Sequence, residues 1–357
     1  MSGTSLDGLD LASCVFSFES GRWAYKIEAA KTVAYSAVWK KRLAGAMDLT
    51  SIELLQLNRD FGRLMSKQVI EFIENLPVAP SLVASHGHTV FHQPANGITL
   101  QIGDGAIIAA ETGITTVCDF RTLDVALGGQ GAPLVPIGDR LLFSNARACL
   151  NLGGIANISF EQDGCRLAYD ICPCNIPLNQ LAGQLGMDYD ENGSVAENAN
   201  IDEALLKALN ALSYYSQSFP KSLGMEWIHA QLNPLLVASA SSAQDKLRTL
   251  VEHIAQQIAD ATKSLQCEAD SEMLITGGGA FNRFLIERIQ ALVKINVHIP
   301  NTETIQFKEA LVFAFLGLLR MRGAVNALAS VTGAKHDSCG GSVYAGRAGT
   351  PNFMETL

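Results

Sequence analysis

A glycine-bounded loop near the start of the chain is the first segment whose residue types could do chemistry. Gly3-Thr-Ser-Leu-Asp-Gly8 is followed by Asp10, so the segment offers backbone N–H groups, two hydroxyls and two carboxylates. Such a loop can form an anion nest for phosphate, with a carboxylate next to Mg²⁺. It lacks the Gly-Lys-Ser/Thr of a P-loop. An ordinary hairpin turn is the alternative.

Two further glycine turns lie in the second half of the chain. Asn151-Leu-Gly-Gly-Ile-Ala-Asn157 is interpreted as a second phosphate loop, with a plain hairpin as the alternative. Thr276-Gly-Gly-Gly279 lies between a predicted strand and a helix that begins near Asn282, and such a helix N-terminus suits a phosphate or a nucleoside. Asn282 stands where the Gly-x-Gly-x-x-Gly fingerprint needs its third glycine, so a nicotinamide site is not expected.

Asp170 ends a predicted strand and precedes the turn Ile171-Cys-Pro-Cys-Asn175. A carboxylate at the carboxyl end of a strand is well placed to act as a general base in a cleft. A surface or capping role is the alternative. Cys172 and Cys174 form a Cys-x-Cys pair without a second pair, which is weak evidence for zinc, so we expect structural thiols.

Two polar segments of the first half could bind a small molecule. Ser85-His-Gly-His-Thr89, together with His92, lacks the carboxylate or cysteine that would complete a metal site, so a loop that contacts sugar hydroxyls is favoured. In Asp119-Phe-Arg121, the arginine could bind a carboxylate or phosphate in a bidentate manner. A structural Arg–Asp pair is the alternative.

The pattern of apolar residues predicts two similar α/β halves with a cleft between them. Each half begins with a glycine-turned β-hairpin and continues with further strands and helices. We predict strands at 9–18, 23–35, 82–84, 99–102, 114–118, 148–152, 155–160, 166–169, 273–275 and 295–299, and helices at 51–76, 106–112, 243–265, 282–293 and 309–321. A break near 133–136 predicts one domain of residues 1–134 plus 333–357 and a second of residues 135–332.

The composition excludes several classes of protein. With 26 Lys and Arg against 35 Asp and Glu, the net charge is −9, which disfavours nucleic-acid binding. Hydrophobic residues make up 48% of the chain, which is enough to form cores. No apolar run is long enough to predict a membrane helix, and no secretory signal is found. Eight cysteines without a ladder of spacings predict reduced thiols and a cytoplasmic protein.

Taken in order, these motifs resemble the anhydro-N-acetylmuramic acid kinase family, whose members have the actin-like, or ribonuclease H-like, two-domain fold. The strings that carry the resemblance are Met1-Ser-Gly-Thr-Ser-Leu-Asp-Gly8, Ser85-His-Gly-His-Thr89, Asp119-Phe-Arg121, Gly128-Gly-Gln-Gly-Ala-Pro-Leu134, Asn151-Leu-Gly-Gly-Ile-Ala-Asn157 and Thr276-Gly-Gly-Gly-Ala-Phe-Asn282. The resemblance implies cleavage of the 1,6-anhydro ring by water and phosphorylation of O6 from ATP, with Mg²⁺, in peptidoglycan recycling. It alone carries the expectation of a homodimer.

The resemblance also implies roles for individual residues. Asp170 matches the catalytic base, and Glu309 a helper carboxylate. ATP would contact the first loop through Gly3, Thr4, Ser5, Leu6, Asp7, Gly8, Leu9 and Asp10, the second through Asn151, Gly153, Gly154 and Asn157, and the third through Gly277, Gly278, Gly279 and Asn282. Asp7 would lie near the metal. The sugar would contact His86, Thr89, Asp119, Arg121 and Asn175.

Three departures from the family pattern are visible. Cys172 and Cys174 stand where relatives carry glycines, which predicts strain if either position needs a positive φ. The chain starts at Met1-Ser-Gly3, where relatives have residues of a first strand, so that strand is expected to be short here. Thr122-Leu123 replaces a more arginine-rich stretch, so recognition of the lactyl carboxylate is expected to differ. A kinase of another sugar, or an inactive nucleotide-binding sensor, is the alternative function.

Overall fold

The structure is a computed structural model that describes residues 1–3, 6–263, 265, 268 and 270–347. Its contacts divide the chain into two compact units. Unit 1 comprises Met1–Leu142 and Phe307–Leu357, and unit 2 comprises Phe143–Gln306. The sequence places the corresponding divisions at 134/135 and 332/333. The assignment of functional domains stays a proposal.

Unit 2 is built on one five-stranded sheet. Its strands are β7 (Ala148–Leu152), β8 (Ile155–Gln162), β9 (Cys165–Pro173), β10 (Glu272–Thr276) and β11 (Asn296–His298). They are ordered β11-β10-β7-β8-β9. β7, β8 and β9 form an antiparallel meander, while β10 runs parallel to both β7 and β11. If β7 to β11 are numbered 1 to 5, the order across the sheet is 3-2-1-4-5, and only strand 2 (β8) runs antiparallel to the others. This is the ribonuclease H-like arrangement.

Helices cover the sheet of unit 2. They are α6 (Asn175–Gln184), α7 (Ser194–Glu197), α8 (Glu203–Asn210), α9 (Met225–Trp227), α10 (Asn233–Ala238), α11 (Ala243–Thr262) and α12 (Arg283–Leu292). Leu150, Ile158 and Ile275 of the sheet are fully buried together with Ile254 and Ile258 of α11. Because α11 presents an apolar residue every three or four positions, one of its faces packs into this core.

The described residues of unit 1 form three smaller sheets. Its strands are β1 (Gly8–Glu19), β2 (Arg22–Ala34), β3 (Val83–Ser85), β4 (His88–Gln93), β5 (Ile98–Ile102), β6 (Thr116–Cys118) and β12 (Ser342–Tyr344). β1 pairs with β2 and β4 with β5, both antiparallel. The third sheet has the order β12-β6-β3, in which β3 and β6 are parallel.

The helices of unit 1 are α1 (Ala37–Ala44), α2 (Ser51–Ile73), α3 (Gly105–Thr112), α4 (Thr122–Ala126), α5 (Val135–Leu142) and α14 (Ala329–Thr332). α13 (Thr302–Met321) crosses the division between the units. α2 begins with a capping box formed by Thr50 and Glu53 and buries Phe61 and Met65 in the core of the unit. No helix among the described residues is long and apolar enough to cross a membrane.

The predicted α/β fold class is confirmed, and the strand order of unit 2 agrees with the predicted ribonuclease H-like domains. One predicted loop is wrong in part. His88 and Thr89 belong to β4, which continues to Gln93, because Thr89 and Phe91 pair with Gln101 and Leu100 of β5.

Candidate functional site

A row of polar residues crosses the sheet of unit 2. Thr276 of β10 lies opposite Asn151 of β7, Asn151 opposite Asn157 of β8, and Asn157 opposite Asp170 of β9. Residues that lie directly opposite each other project from the same face of a sheet. The sheet therefore brings together two residues of the second glycine motif, one residue of the third and the predicted base.

Asp170 is held by a segment that follows it by about fifty residues in the chain. Its Oδ2 accepts a hydrogen bond from the backbone N–H of Leu223 at 2.9 Å, and its own N–H donates to the carbonyl oxygen of Lys221 at 3.3 Å. The Tyr214 hydroxyl donates to the Asp170 carbonyl at 2.6 Å. Among the described residues, none donates a hydrogen bond to Oδ1.

Burial raises the pKa of the Asp170 carboxyl, and the hydrogen bond from Leu223 opposes that rise. The side chain is half-buried. A carboxylate with a raised pKa is a stronger base than an ordinary aspartate, as general-base chemistry near neutral pH requires. The environment of Asp170 therefore fits the predicted role.

Lys221, Leu223 and Tyr214 were not identified by sequence reasoning. The Lys221 ammonium lies 4.6 Å from the centre of the Tyr214 ring and donates to the Tyr214 carbonyl oxygen at 3.2 Å. Lys221 and Leu223 contact Asp170 through backbone atoms, so the identity of their side chains does not reveal the contact. The run Pro220-Lys-Ser-Leu-Gly224 is the one signal in the sequence that could have drawn attention to this segment.

The strain predicted for the two cysteines after Asp170 is not found. Neither Cys172 nor Cys174 is among the described non-glycine residues with a positive φ, and Cys174 has a φ of −127°. Cys172 pairs with Ala156 as an ordinary strand residue. Both side chains are fully buried, and burial raises the pKa of Cys174 to about 12 and that of Cys172 well above its usual value. The thiols are neutral core groups, as expected.

Asn175 links two glycine loops of unit 2. Its Nδ2 donates to the Leu152 carbonyl oxygen at 2.9 Å, and its backbone N–H donates to the Gly153 carbonyl oxygen at 3.1 Å. A Cβ built on Gly279 would lie 3.1 Å from its Oδ1. The structure shows Asn175 against the second and third loops, and its predicted contact with the sugar stays a prediction.

The third loop needs glycine for steric reasons. Gly277 has a φ of +84°, and a Cβ there would lie 2.8 Å from the backbone carbon of Leu152. The close approach of Gly277 and Gly279 to Leu152 therefore brings the end of β10 against the second loop. Asn282 caps α12, because its Oδ1 accepts from the Leu285 N–H at 3.0 Å. This cap satisfies one donor at the helix start.

The first glycine loop lies in unit 1, and its Thr4 and Ser5 are outside the described residues. Leu6 has a φ of +59°, and a Cβ on Gly8 would lie 2.5 Å from the Val33 carbonyl oxygen. The Asp7 carbonyl oxygen accepts from the Tyr35 N–H at 3.3 Å. Leu9 is 1% exposed in the core, so only its backbone is available to a ligand.

Asp7 and Asp10 are the carboxylates that could assist a cation at this loop. Asp7 is exposed, whereas Asp10 is half-buried and accepts a hydrogen bond from the Thr32 hydroxyl at 2.6 Å. Within the described ranges, no group of three or more His, Cys, Asp or Glu residues could hold a metal ion. One or two carboxylates still suit Mg²⁺, which keeps several waters and takes other oxygens from phosphates.

Arg121 and His86 form a hydrogen-bonded pair in unit 1. The Nε and Nη2 of Arg121 lie 3.1 and 2.8 Å from His86 Nε2, and Nη1 donates to the Gly131 carbonyl oxygen at 2.7 Å. Because arginine can only donate, Nε2 accepts and the proton of the neutral ring is on Nδ1, 3.0 Å from the Gly87 carbonyl oxygen. Burial and the Arg121 charge lower the pKa of His86 to about 3. The guanidinium keeps two further N–H groups for an anion.

Glu309 and Asp119 are the two carboxylates of unit 1, outside the first glycine loop, that the sequence predicts to be functional. Glu309 is exposed to solvent, yet the protein around it removes part of its hydration and raises its pKa, which the charges of Arg121 and the Met1 ammonium oppose. Asp119 has a φ of +57° and accepts from the Thr122 hydroxyl, and burial raises its pKa. Asp119 is thus tied to the start of α4 rather than to Arg121.

The histidines of the Ser85–Thr89 motif are not arranged as a metal site. His86 contacts Arg121, His88 Nδ1 lies 3.1 Å from the Ser2 hydroxyl, and His92 Nδ1 lies 3.1 Å from the Thr99 hydroxyl. Thr89 Oγ1 lies 3.4 Å from Gln101 Nε2.

Comparison with known proteins decides the family. The family model described as anhydro-N-acetylmuramic acid kinase matches residues 1–346. The chain belongs to this family. It is 36% identical to the anhydro-N-acetylmuramic acid kinase of Vibrio cholerae serotype O1, with 96% of each chain covered, and 37% identical to that of Gloeobacter violaceus, with 94% of each covered.

A solved structure, the ADPNP-bound activator of 2-hydroxyisocaproyl-CoA dehydratase from Clostridium difficile, matches 86% of this chain and 94% of its own, at 13% identity and a TM-score of 0.41. That likeness is too distant to support an argument. The anhydro-N-acetylmuramic acid kinase family is a family of sugar kinases. Membership therefore gives the glycine loops and Asp170 a chemical context that their geometry alone does not fix.

Proposed function

We propose that this protein hydrolyses the 1,6-anhydro bond of 1,6-anhydro-N-acetylmuramic acid and phosphorylates O6 from ATP. The products are N-acetylmuramic acid 6-phosphate and ADP. The observation that carries the proposal, beside family membership, is the polar row in which Asp170 lies across from Asn157 of the second glycine motif. It joins a base to a phosphate-type loop on one sheet face.

Asp170 acts as the general base. It removes a proton from a water molecule as the water oxygen forms a bond to C1, and the bond between C1 and O6 breaks. O6 then forms a bond to the γ-phosphorus of ATP, and the bond from that phosphorus to the bridging oxygen of ADP breaks. Leu223 fixes the Asp170 carboxylate through Oδ2, so Oδ1 is the oxygen that takes the proton.

The glycine loops bind ATP through their backbones. The loops of unit 2 meet at Leu152, which contacts Gly277, Gly279 and Asn175. The first loop would contribute Gly3 to Asp10, and Asp7 would hold Mg²⁺. Bound Mg²⁺ neutralises charge on the phosphates, which is the main demand of phosphoryl transfer.

Arg121 binds the carboxylate of the sugar's lactyl group. His86 and the Gly131 carbonyl oxygen hold the guanidinium, and its two remaining N–H groups can donate to a carboxylate. The ring of Phe313 lies against both residues, 4.6 Å from the His86 ring and 5.7 Å from the Arg121 guanidinium. Glu309 assists as a second acid–base group, and Thr89 and Asp119 line the sugar side.

The substrate is tested by ADP release with a panel of sugars at fixed Mg-ATP. We expect turnover with 1,6-anhydro-N-acetylmuramic acid and little with N-acetylglucosamine or glucose. Anhydro-N-acetylglucosamine, which lacks the lactyl group, is the matched control for Arg121. Turnover with a simple hexose alone would favour a kinase of another sugar, and ATP binding without turnover on any sugar would favour the sensor.

A further inference from the structure

The strand that carries Asp170 contains a β-bulge at that residue. Asn157 of β8 pairs with Asp170 of β9. The preceding residue of β8, Ala156, pairs with Cys172. Ile171 is therefore an extra residue on β9, between two positions that lie opposite consecutive residues of β8. Bulges of this kind bend a strand and change the direction of its side chains.

The bulge decides from which face of the sheet the Asp170 side chain projects. In a regular strand, residues two apart project from the same face. Asp170 and Cys172 project from opposite faces instead, because they pair with neighbouring residues of β8. Cys172 and Ile171 accordingly lie in the core of unit 2, whereas Asp170 is half-buried in the polar row.

Without the bulge, the carboxylate would leave the polar row. If the pairing of Ala156 with Cys172 continued along both strands with no extra residue, Asp170 would lie opposite Ile158. Ile158 is completely buried, so a side chain opposite it projects toward the core of the unit. A slip of one residue therefore turns the carboxylate away from Asn157. The base depends on the bulge keeping its place.

Tyr214 holds the peptide at which the bulge begins. Its hydroxyl donates to the Asp170 carbonyl oxygen at 2.6 Å, and this carbonyl belongs to the peptide that joins Asp170 to Ile171. β9 is the outermost strand of its sheet, so its backbone can also bond to segments outside the sheet. The Asp170 N–H does so as well, since it donates to the Lys221 carbonyl oxygen at 3.3 Å.

The surroundings of Tyr214 fix its position and its role as a donor. Its side chain is buried, and its ring centre lies 5.5 Å from that of Trp227 and 4.6 Å from the Lys221 ammonium. Burial and the charge of Asp170 raise the pKa of the Tyr214 hydroxyl well above its usual value, so the hydroxyl keeps its proton. A rigid, protonated hydroxyl is suited to holding a carbonyl oxygen in one place.

We propose that Tyr214 is a positioning residue for the general base, because its hydroxyl holds the β-bulge at Asp170 and so keeps the carboxylate in the polar row. The proposal rests on the proposed function, in which Asp170 takes the proton from water. Leu223 holds one oxygen of the carboxylate, and Tyr214 holds the backbone of the same residue. Tyr214 acts through Asp170 and not on the substrate.

Tyr215 provides a matched control at the next position in the chain. Its hydroxyl lies 2.9 Å from His253 Nε2, and its ring centre lies 5.1 Å from that of His253. Tyr214→Phe and Tyr215→Phe each remove one hydrogen-bonded hydroxyl and keep the ring, but only the first removes a bond to Asp170. Denaturant unfolding verifies that both variants are folded under the assay conditions.

The kinetic test measures kcat and KM for 1,6-anhydro-N-acetylmuramic acid and Mg-ATP in the wild type and both variants. We expect Tyr214→Phe to lower kcat at least ~10-fold with both KM values unchanged, because a small displacement of a catalytic group slows the chemical step. Tyr215→Phe should keep the wild-type kcat. In the Asp170→Asn background, Tyr214→Phe should lower the residual kcat no further, since Tyr214 acts only through the carboxylate.

Hydrogen exchange followed by mass spectrometry gives a second readout that does not depend on kinase activity. We expect β9 to exchange at least ~10-fold faster in Tyr214→Phe than in the wild type, because the bond at the bulge is lost. Tyr215→Phe should leave the exchange of β9 unchanged.

Failure of this proposal is distinguishable from failure of the proposed function. Wild-type kcat or wild-type exchange of β9 in Tyr214→Phe would overturn the positioning role alone. An equal loss of kcat in Tyr215→Phe, or a further loss when Tyr214→Phe is added to Asp170→Asn, would do the same, because a general structural role would then explain the effect. Full activity in Asp170→Asn would instead overturn the proposed role of Asp170, and the positioning role with it.

Discussion

At the scale of single residues, the neighbours of Asp170 determine how basic it is. Burial raises the pKa of this carboxyl and the Leu223 N–H lowers it. A general base works only when it is deprotonated, so activity falls as the pH drops through this pKa. The sequence indicated Asp170 from its place at a strand end, but it could not reveal the Leu223 hydrogen bond, which comes from a backbone atom.

The pH profile tests this environment. Leu223→Pro removes the N–H, so we expect the acid limb of kcat/KM to move to higher pH than in the wild type. Leu223→Ala keeps the N–H and is the matched control, in which the limb should stay in place. Coincident limbs in the wild type and Leu223→Pro would show that this hydrogen bond does not tune the base.

The buried cysteines give a second prediction at this scale. Neither Cys172 nor Cys174 has a positive φ, so neither position requires glycine. Replacing both cysteines by glycine should therefore destabilise the protein, by about 1–3 kcal/mol for lost core packing and added chain entropy. Denaturant unfolding measures the change, with Cys165→Gly at an exposed site as the control. Greater stability in the double glycine variant would show that the cysteines are strained.

At the scale of elements, loops at strand ends depend on glycine only where another backbone comes close. Gly277 combines a φ of +84° with backbone contact to Leu152. Gly183 in α6 meets nothing within 4 Å. We expect Gly277→Ala to weaken ATP binding at least ~10-fold, while Gly183→Ala should leave it unchanged and stabilise the helix by about 0.5–1 kcal/mol. Calorimetric titration measures the ATP affinity, and denaturant unfolding measures the stability. Equal ATP affinity in the two variants would contradict the account.

Element prediction from the sequence succeeded where the apolar pattern was strong. α2 and α11 were predicted within a few residues because each has a long stripe of apolar side chains. β4 was missed because its His88-Thr-Val-Phe-His-Gln93 is mostly polar or aromatic, and only pairing with β5 makes it a strand. The link between Asn175 and the glycine loops was missed for a similar reason. It depends on contacts between segments that are distant in the chain.

At the scale of the whole molecule, buried neutral histidines couple stability to pH. His253 is fully buried, and burial lowers its pKa to about 3. Its Nδ1 lies 2.6 Å from Asn210 Oδ1, and its Nε2 lies 2.9 Å from the Tyr215 hydroxyl. The unfolded chain binds a proton here near pH 6.5, whereas the folded chain does so only near pH 3. Stability is therefore lost as the pH falls through this window.

We expect the free energy of unfolding to decrease between pH 6 and 5 by up to about 1.4 kcal/mol per pH unit for each such histidine. His86, with its pKa lowered to about 3, adds to the same slope. His253→Gln should reduce the slope by one proton, while His336→Gln at the exposed surface is the control. Denaturant titrations at several pH values measure it. A slope unchanged by His253→Gln would contradict the assignment.

The most direct test of the central claim measures ADP and sugar phosphate together, with 1,6-anhydro-N-acetylmuramic acid and Mg-ATP, in the wild type and Asp170→Asn. We predict one N-acetylmuramic acid 6-phosphate per ADP in the wild type, and a loss of at least ~10²-fold in kcat for Asp170→Asn with ATP affinity retained. ADP released by the wild type without sugar phosphate, or full activity in Asp170→Asn, would contradict the account.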